Sequence, residues 1–489
     1  MGTVPRTGWF GGKGAGPGAL IKARCLNMSE KYDAAIVGSG PAGIFAAYEL
    51  TVKFPQIKVI LLEEGQDIYT RSCPLAEKKV SACVFCPSCA VMRGFGGTGA
   101  FSDGKYNITA KFGGWLTDYL PETLVMDLIG YVDKVNLSLG APAAVFSSEN
   151  SAIGKKALEH DLHLLGAKVR HLGTENNMLI LRRLYETLKD RIIMRFNSKV
   201  ERIITRKDGF TLQMAKGAEI RSDWLIAAPG RSGSEWFAGQ CGELGIPVFS
   251  NQVDVGVRVE LPAEIFKHIT DEVYEAKLVY LTKQYGDFVR TFCMNPYGYV
   301  VTENTDGIIT VNGHSYHDAS KNSRNTNFAL LVSNKFTQPF NQPHQYGKRI
   351  ASFSNMLGGG AIMQRFGDLI KGRRTSERRL TKSFLLPTLA ATPGDLSLVL
   401  PKRHMDNIIE MIYALDKIAP GTKNDDTLLY GVEVKFYSSR LELDKNMETP
   451  VKGLFAIGDG AGVTRGLAQA SASGVHVARV LARRISGLP

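Results

Sequence analysis

The sequence predicts an α/β fold, and three observations carry that reading. Residues 32–50, YDAAIVGSGPAGIFAAYEL, run from a short apolar strand through a glycine turn into an alanine-rich helix. Residues 192–230 form short alternating stretches broken at Asp208-Gly209 and Lys216-Gly217, and residues 453–485 repeat the strand, turn and helix order near the far end of the chain. Strand–turn–helix units build parallel sheet, whereas period-two alternation with tight turns builds a meander. Together they describe a discontinuous Rossmann-like domain with a β-meander, and leave the residues between for a second, mixed α+β domain.

Bulk properties bound the function classes. With 489 residues, 44% hydrophobic and 22% charged, the chain has an ordinary globular balance and enough length for two domains. No apolar run reaches the length of a membrane span and no secretory h-region opens the chain, so a soluble, cytoplasmic protein is expected. Seven cysteines, four of them clustered, do not suit a secreted disulfide framework. The formal charge of +12 is spread thinly except at residues 371–382, KGRRTSERRLTK, which read as a solvated face or a small-anion site rather than a polynucleotide surface. Residues 1–28, rich in glycine and without an acidic residue, read as a disordered extension.

Gly38-Ser39-Gly40-Pro41-Ala42-Gly43 fits the turn of a dinucleotide site. Gly38 permits the bend, Gly40 lets backbone approach a pyrophosphate, Gly43 lets helix pack on strand, and the helix N-terminus offers free N–H groups to phosphates. A second buried strand, IKVILLEEG at residues 57–65, ends in Glu63 where a carboxylate meets a ribose hydroxyl pair. Gly94-x-Gly96-x-x-Gly99 has the same spacing but follows no strand, so no second nucleotide domain is expected.

Residues 453–485, GLFAIGDGAGVTRGLAQASASGVHVARVLARRI, resemble the segment of FAD-dependent oxidoreductases in which an aspartate binds the ribityl chain and the next helix points its N-terminus at the flavin pyrimidine. The resemblance assigns the ribityl contact to Asp459, with Gly458 and Gly466 framing the turn. DWLIAAPGRSG, residues 223–233, resembles the strand by which this superfamily returns to the flavin domain, and with it Gly230 and Val200 become flavin-site residues. The chain is thus similar to a family of FAD-dependent dehydrogenases and oxidoreductases with a single nucleotide domain. What that implies is a flavin domain in three parts, residues 29–110, 181–245 (the meander) and 430–489. A connecting segment spans 111–180, and a substrate or cap domain spans 246–429.

Residues 73–89, CPLAEKKVSACVFCPSC, precede GFGGTGAFSDG. In the superfamily this loop reaches the isoalloxazine, which gives Gly96, Gly97 and Gly99 the place beside it. Cys73, Cys83, Cys86 and Cys89 have the count and compact spacing of a four-thiolate centre, a [4Fe–4S] cluster or zinc; a redox dithiol and plain loop thiols are the alternatives.

The middle of the chain carries no motif, but its apparent strands DVGVRVELP, DFVRTFCMNPYGYVV and GIITVNGHSY hold Arg258, Arg290, Cys293, Asn295, Asn312 and His314. Arg258 and Arg290 would suit a carboxylate or phosphate, and His314 would suit a proton donor paired with hydride transfer at the flavin. The expected function is redox chemistry at FAD on a small substrate. A flavin-containing electron-transfer or sensor protein with a four-cysteine centre and an electron-donor partner is the competing class.

Overall fold

Ala34, Ala35 and Ile36 of the first strand are fully buried, so both faces of that strand are covered and it must lie inside its sheet. The computed structural model describes residues 31–487 apart from 78, 81, 82, 150, 306, 317, 335, 337–339 and 341; the expected extension at 1–28 lies outside them. Lys31–Val37 pairs in parallel with Val59–Leu62 on one side and Glu219–Ala227 on the other. Ile193–Arg195 extends the sheet beyond Val59–Leu62, and Leu454–Ala456 joins in parallel to the end of Glu219–Ala227. The beginning of that same strand pairs antiparallel with Gly209–Met214, which pairs with Val200–Arg206. One long strand therefore serves both the parallel core and the meander.

Two helices cover this sheet, Pro41–Lys53 and Leu467–Ile485. They approach closely because the contact is made of small residues: a Cβ on Gly474 would stand 2.1 Å from the Ala42 carbonyl oxygen. The N-termini of both helices consequently come together at the ends of the parallel strands, where open α/β sheets bind ligands.

A second, eight-stranded sheet is centred on Val253–Pro262, buried along nearly its whole length between Asn325–Asn334 and Leu428–Phe436. Its core is separate from that of the first sheet, and the helices Ala263–Val273 and Lys402–Ile418 contribute Phe266, Ile269, Ile408 and Met411 to it. The strand Leu428–Phe436 crosses the boundary expected at residue 429, and its ten-residue neighbour Val253–Pro262 keeps it in the second sheet. DFVRTFCMNPYGYVV is two strands, Phe288–Asn295 and Tyr299–Thr305, divided at Tyr297, whose φ of 50° breaks extended chain. Within 111–180, Glu122–Ser138 packs into the first core and Leu162–Leu164 adds an edge strand to the second sheet. That segment ties the two layers together.

The basic run at 371–382 is partly neutralised by its own surroundings. Buried Asp368 receives Arg373 Nε at 2.8 Å, with Arg379 Nε at 3.6 Å, and Lys371 Nζ lies 2.6 Å from Asp425. Among the described residues no helix is long and apolar enough to cross a membrane.

Candidate functional site

A cavity of about 630 Å³ lies between the ends of the parallel strands and the second sheet. Gly38, with φ of +101° and its Cα against Ala228, makes the bend that ends the first strand. Gly43 packs directly on Gly38 O, whereas the position of a Cβ on Gly40 is open space. The turn is dense behind and empty in front, and Gly40, Pro41 and Ala42 line the cavity with no side chain capping the helix. Gly466, Leu467 and Ala470 bring the second uncapped helix start to the same space.

The glycine loop completes the junction. Gly96 N donates to Ser39 O at 2.8 Å, a Cβ on Gly97 would lie 3.1 Å from Gly40 Cα, and one on Gly99 would meet Leu467 and Pro41. Gly97 and Gly99 therefore line the cavity between the two helix starts, while Gly96 is turned toward Leu181. Arg71 holds the loop in shape. Its guanidinium donates to the carbonyls of Ala90, Val91, Phe95 and Gly97 at 2.6–3.0 Å, and burial lowers its pKa to about 10.

Glu63 lines the cavity, but its carboxylate is engaged by protein: Oε2 accepts from Ser39 N and Oγ, and Oε1 accepts from Gly65 N and Gly94 N, all at 2.8–2.9 Å. Four bonds match the acceptor capacity of a carboxylate, so Glu63 clamps the first turn to the glycine loop. Asp459 faces the cavity and accepts Thr464 Oγ1 at 2.8 Å. Burial raises its carboxyl above the usual range, opposed by Arg231 and the Thr464 hydroxyl. Val200, Gly230 and Gly458 also line the cavity; Gly43 does not.

On the opposite wall the expected residues separate. Arg290, Cys293, Asn312 and His314 face the cavity, and burial lowers the His314 pKa. Arg258 does not face it. Fully buried, Arg258 makes a two-pronged pair with Glu433, Nε to Oε2 at 2.8 Å and Nη2 to Oε1 at 2.9 Å, and donates further to Cys293 O and Asn312 Oδ1. It ties strands together, which corrects the expectation of a substrate contact. Asn295 likewise points away and accepts Lys105 Nζ at 2.9 Å.

Sequence reading missed the cavity residues Asp103, Lys105, Glu275, Lys277, Lys435 and Arg465. Lys105 Nζ lies 3.2 Å from Asp103 Oδ2 and 3.9 Å from Glu275 Oε2; although burial opposes its charge, those carboxylates raise its pKa. Asp103 Oδ2 also lies 3.4 Å from His171 Nε2, which contacts Tyr274 Oη at 3.2 Å. Asp103 lies in the glycine-rich stretch GFGGTGAFSDG and Arg465 directly before Gly466 in the C-terminal segment, but Lys105, Glu275, Lys277 and Lys435 sit in no motif; long-range pairing of Lys105–Ile108 with Lys168–His171 brings Lys105 beside His171.

The four clustered cysteines are not brought together. Among the described residues no group of three or more His, Cys, Asp or Glu side chains is arranged to hold a metal ion, and Cys86 is exposed. Cys83 Sγ instead accepts Asn304 Nδ2 at 3.3 Å. The expected iron–sulfur or zinc centre has no support in this geometry.

Residues 252–436 match the family described as FAD-dependent protein, C-terminal domain-like. That match begins at the strand Val253–Pro262 and ends with Leu428–Phe436, so it coincides with the main strands of the second sheet. Over 463 residues, 91% of this chain and 79% of the relative, the sequence is 28% identical to a protein of Clostridium beijerinckii described only as an uncharacterized protein. Among solved structures, an E. coli quinol fumarate reductase is 16% identical, with 94% of this chain and 71% of that chain covered and a TM-score of 0.40. A glycine oxidase from Geobacillus kaustophilus is 11% identical, with 94% of each chain covered and a TM-score of 0.38.

Proposed function

We propose that the protein is an FAD-dependent oxidoreductase whose cavity takes the flavin along the glycine turns and a small substrate against the second sheet. The observation that carries this reading is the convergence of two uncapped helix starts and a glycine loop on one cavity, with open space where a Gly40 side chain would stand. Such a cradle suits an extended ligand bearing a pyrophosphate, because the helix start at Pro41 offers unpaired N–H groups and a positive dipole end. Asp459 would take ribityl hydroxyls. The helix start at Leu467 would face the flavin pyrimidine and favour negative charge there.

Bound FAD would supply reversible two-electron chemistry at its ring. The chain's own part is to hold the substrate and manage a proton. His314 is kept neutral near pH 7 by burial, which suits it to accept a proton from substrate, while Arg290 orients the substrate across the cavity. The match of the second sheet to an FAD-dependent family supports pairing that sheet with a flavin site.

Purified protein is expected to carry FAD near one per chain, read from its absorption spectrum and from the released cofactor. Asp459→Ala should lower that occupancy severalfold with the fold intact by circular dichroism. Full, tightly held FAD in this variant would remove Asp459 from the site.

A further inference from the structure

Four cations surround one aromatic ring in the wall opposite the glycine turns. Lys277, Arg290, Lys435 and Arg465 lie 5.7, 4.7, 5.8 and 5.9 Å from the centre of the Phe292 ring. They are brought there from two strands of the second sheet (Arg290 and Lys435), from the residue before the strand Leu278–Leu281 (Lys277), and from the residue before Gly466 at the last helix start (Arg465). Two have a carboxylate at close range: Arg290 Nη2 lies 2.5 Å from Asp254, and Lys435 Nζ lies 2.8 Å from Glu433, which Arg258 shares. Lys277 is paired only loosely, 3.8 Å from Glu275, and its ammonium sits 3.8 Å above Phe112.

Arg465 differs from all three. Among the described residues no carboxylate forms an ion pair with it, and its Nη1 is buried without a hydrogen-bond partner. Its guanidinium lies 3.4 Å over the Tyr437 ring, and its backbone N–H donates to Gly113 O, so the side chain is held from both ends. Burial lowers its pKa to about 9, an effect that Asp254 only partly offsets. A buried guanidinium short of acceptors is costly to maintain, and an oxyanion brought to it would remove that cost. The planar fork matches a carboxylate in two parallel bonds. Beside it, Phe112, Trp115 and Phe292 give the cavity flat apolar walls.

We propose that this end of the cavity is a carboxylate subsite, in which Arg465 and Lys277 take the carboxylate of a small substrate whose flat apolar body lies against Phe292. The inference rests on the reading of the cavity as an FAD site and names the class of substrate for it. One unpaired guanidinium and one loosely paired ammonium suit a monoanion. A phosphate monoester would bring a second charge, whereas Arg290 and Lys435 each already lie beside a carboxylate.

The test uses the full-length protein with its bound flavin, and benzoate as the probe. Benzoate should perturb the visible flavin band and raise the unfolding temperature, while benzamide and phenyl phosphate should do so at least tenfold more weakly. Arg465→Gln should weaken benzoate at least tenfold with FAD content unchanged, and Arg465→Lys should recover part of the loss. Equal binding of benzoate and benzamide, tighter binding of phenyl phosphate, or unaltered benzoate binding by Arg465→Gln would each overturn the proposal. Joint loss of FAD and benzoate in Arg465→Gln would put Arg465 on the cofactor and overturn it as well. Should Arg465→Gln fail to fold, the three probes on the wild-type protein decide. Protein that holds no FAD, yet shows a benzoate-dependent thermal shift abolished by Arg465→Gln, would sink the flavin reading and keep the subsite.

Discussion

Arg258 and Arg465 are the same residue type with opposite surroundings. Every prong of Arg258 has an acceptor, and removing it would leave Glu433 charged and buried beside Lys435 alone. Breaking a buried pair from one side costs about 3–5 kcal/mol, so Arg258→Ala should lower the urea midpoint sharply. A variant that unfolds at the wild-type midpoint but has lost substrate binding would return Arg258 to the cavity. Arg465 lacks such acceptors, and the cavity at its tip is where a ligand could supply them. Nothing in the surrounding letters, RVE or TRG, separates the two cases.

At the scale of elements, the loop from Cys89 to Phe101 shows how a segment with little regular structure is made rigid. Arg71 fills it from inside with four charge-assisted bonds to carbonyls, and Asn177 Nδ2 donates to Gly99 O at 2.7 Å. Arg71→Ala would leave those carbonyls unpaired, with an expected cost of about 3 kcal/mol and a fall in FAD occupancy. Arg71→Lys should restore little, because an ammonium cannot span the fork. Urea unfolding and the ratio of FAD to protein check both; wild-type occupancy in Arg71→Ala would show that the loop holds itself. In the neighbouring cysteine stretch Val84, Phe85 and Cys86 are exposed, and among the described residues its compact spacing does not become a ligand set.

For the whole molecule, acid stability is set partly far from the cavity. His404, on the helix Lys402–Ile418, is 4% exposed, neither ring nitrogen has a hydrogen-bond partner, and burial lowers its pKa to about 4. The unfolded chain, with a histidine pKa near 6.5, binds this proton first, so stability falls as pH drops from about 6.5 towards about 4. The full effect is about 3 kcal/mol, and none of it appears above about pH 7. Urea unfolding between pH 7 and 4 should show the slope, and His404→Leu should flatten it. An unchanged slope in that variant would assign the acid sensitivity to other groups, among them His314, His344 and His476, whose pKa values burial also lowers.

What the sequence determined by itself is local. The glycine turn at Gly38–Gly43, the meander and the last strand–turn–helix unit each depend on residues within one short stretch, because bend, helix start and strand period are set by immediate neighbours. Glu63 was legible as the carboxylate ending the second strand, although its four bonds to Ser39, Gly65 and Gly94 were not. The tertiary structure decided which cations reach the cavity. Lys277, Lys435 and Arg465 meet around Phe292 only because strands distant in sequence pair in one sheet and the chain's last helix starts opposite them. It also decided that Arg258 is a strand tie and that, among the described residues, the four thiols form no ligand set. Charge pairing and side-chain convergence depend on contacts between residues up to hundreds of positions apart, and no local pattern encodes them.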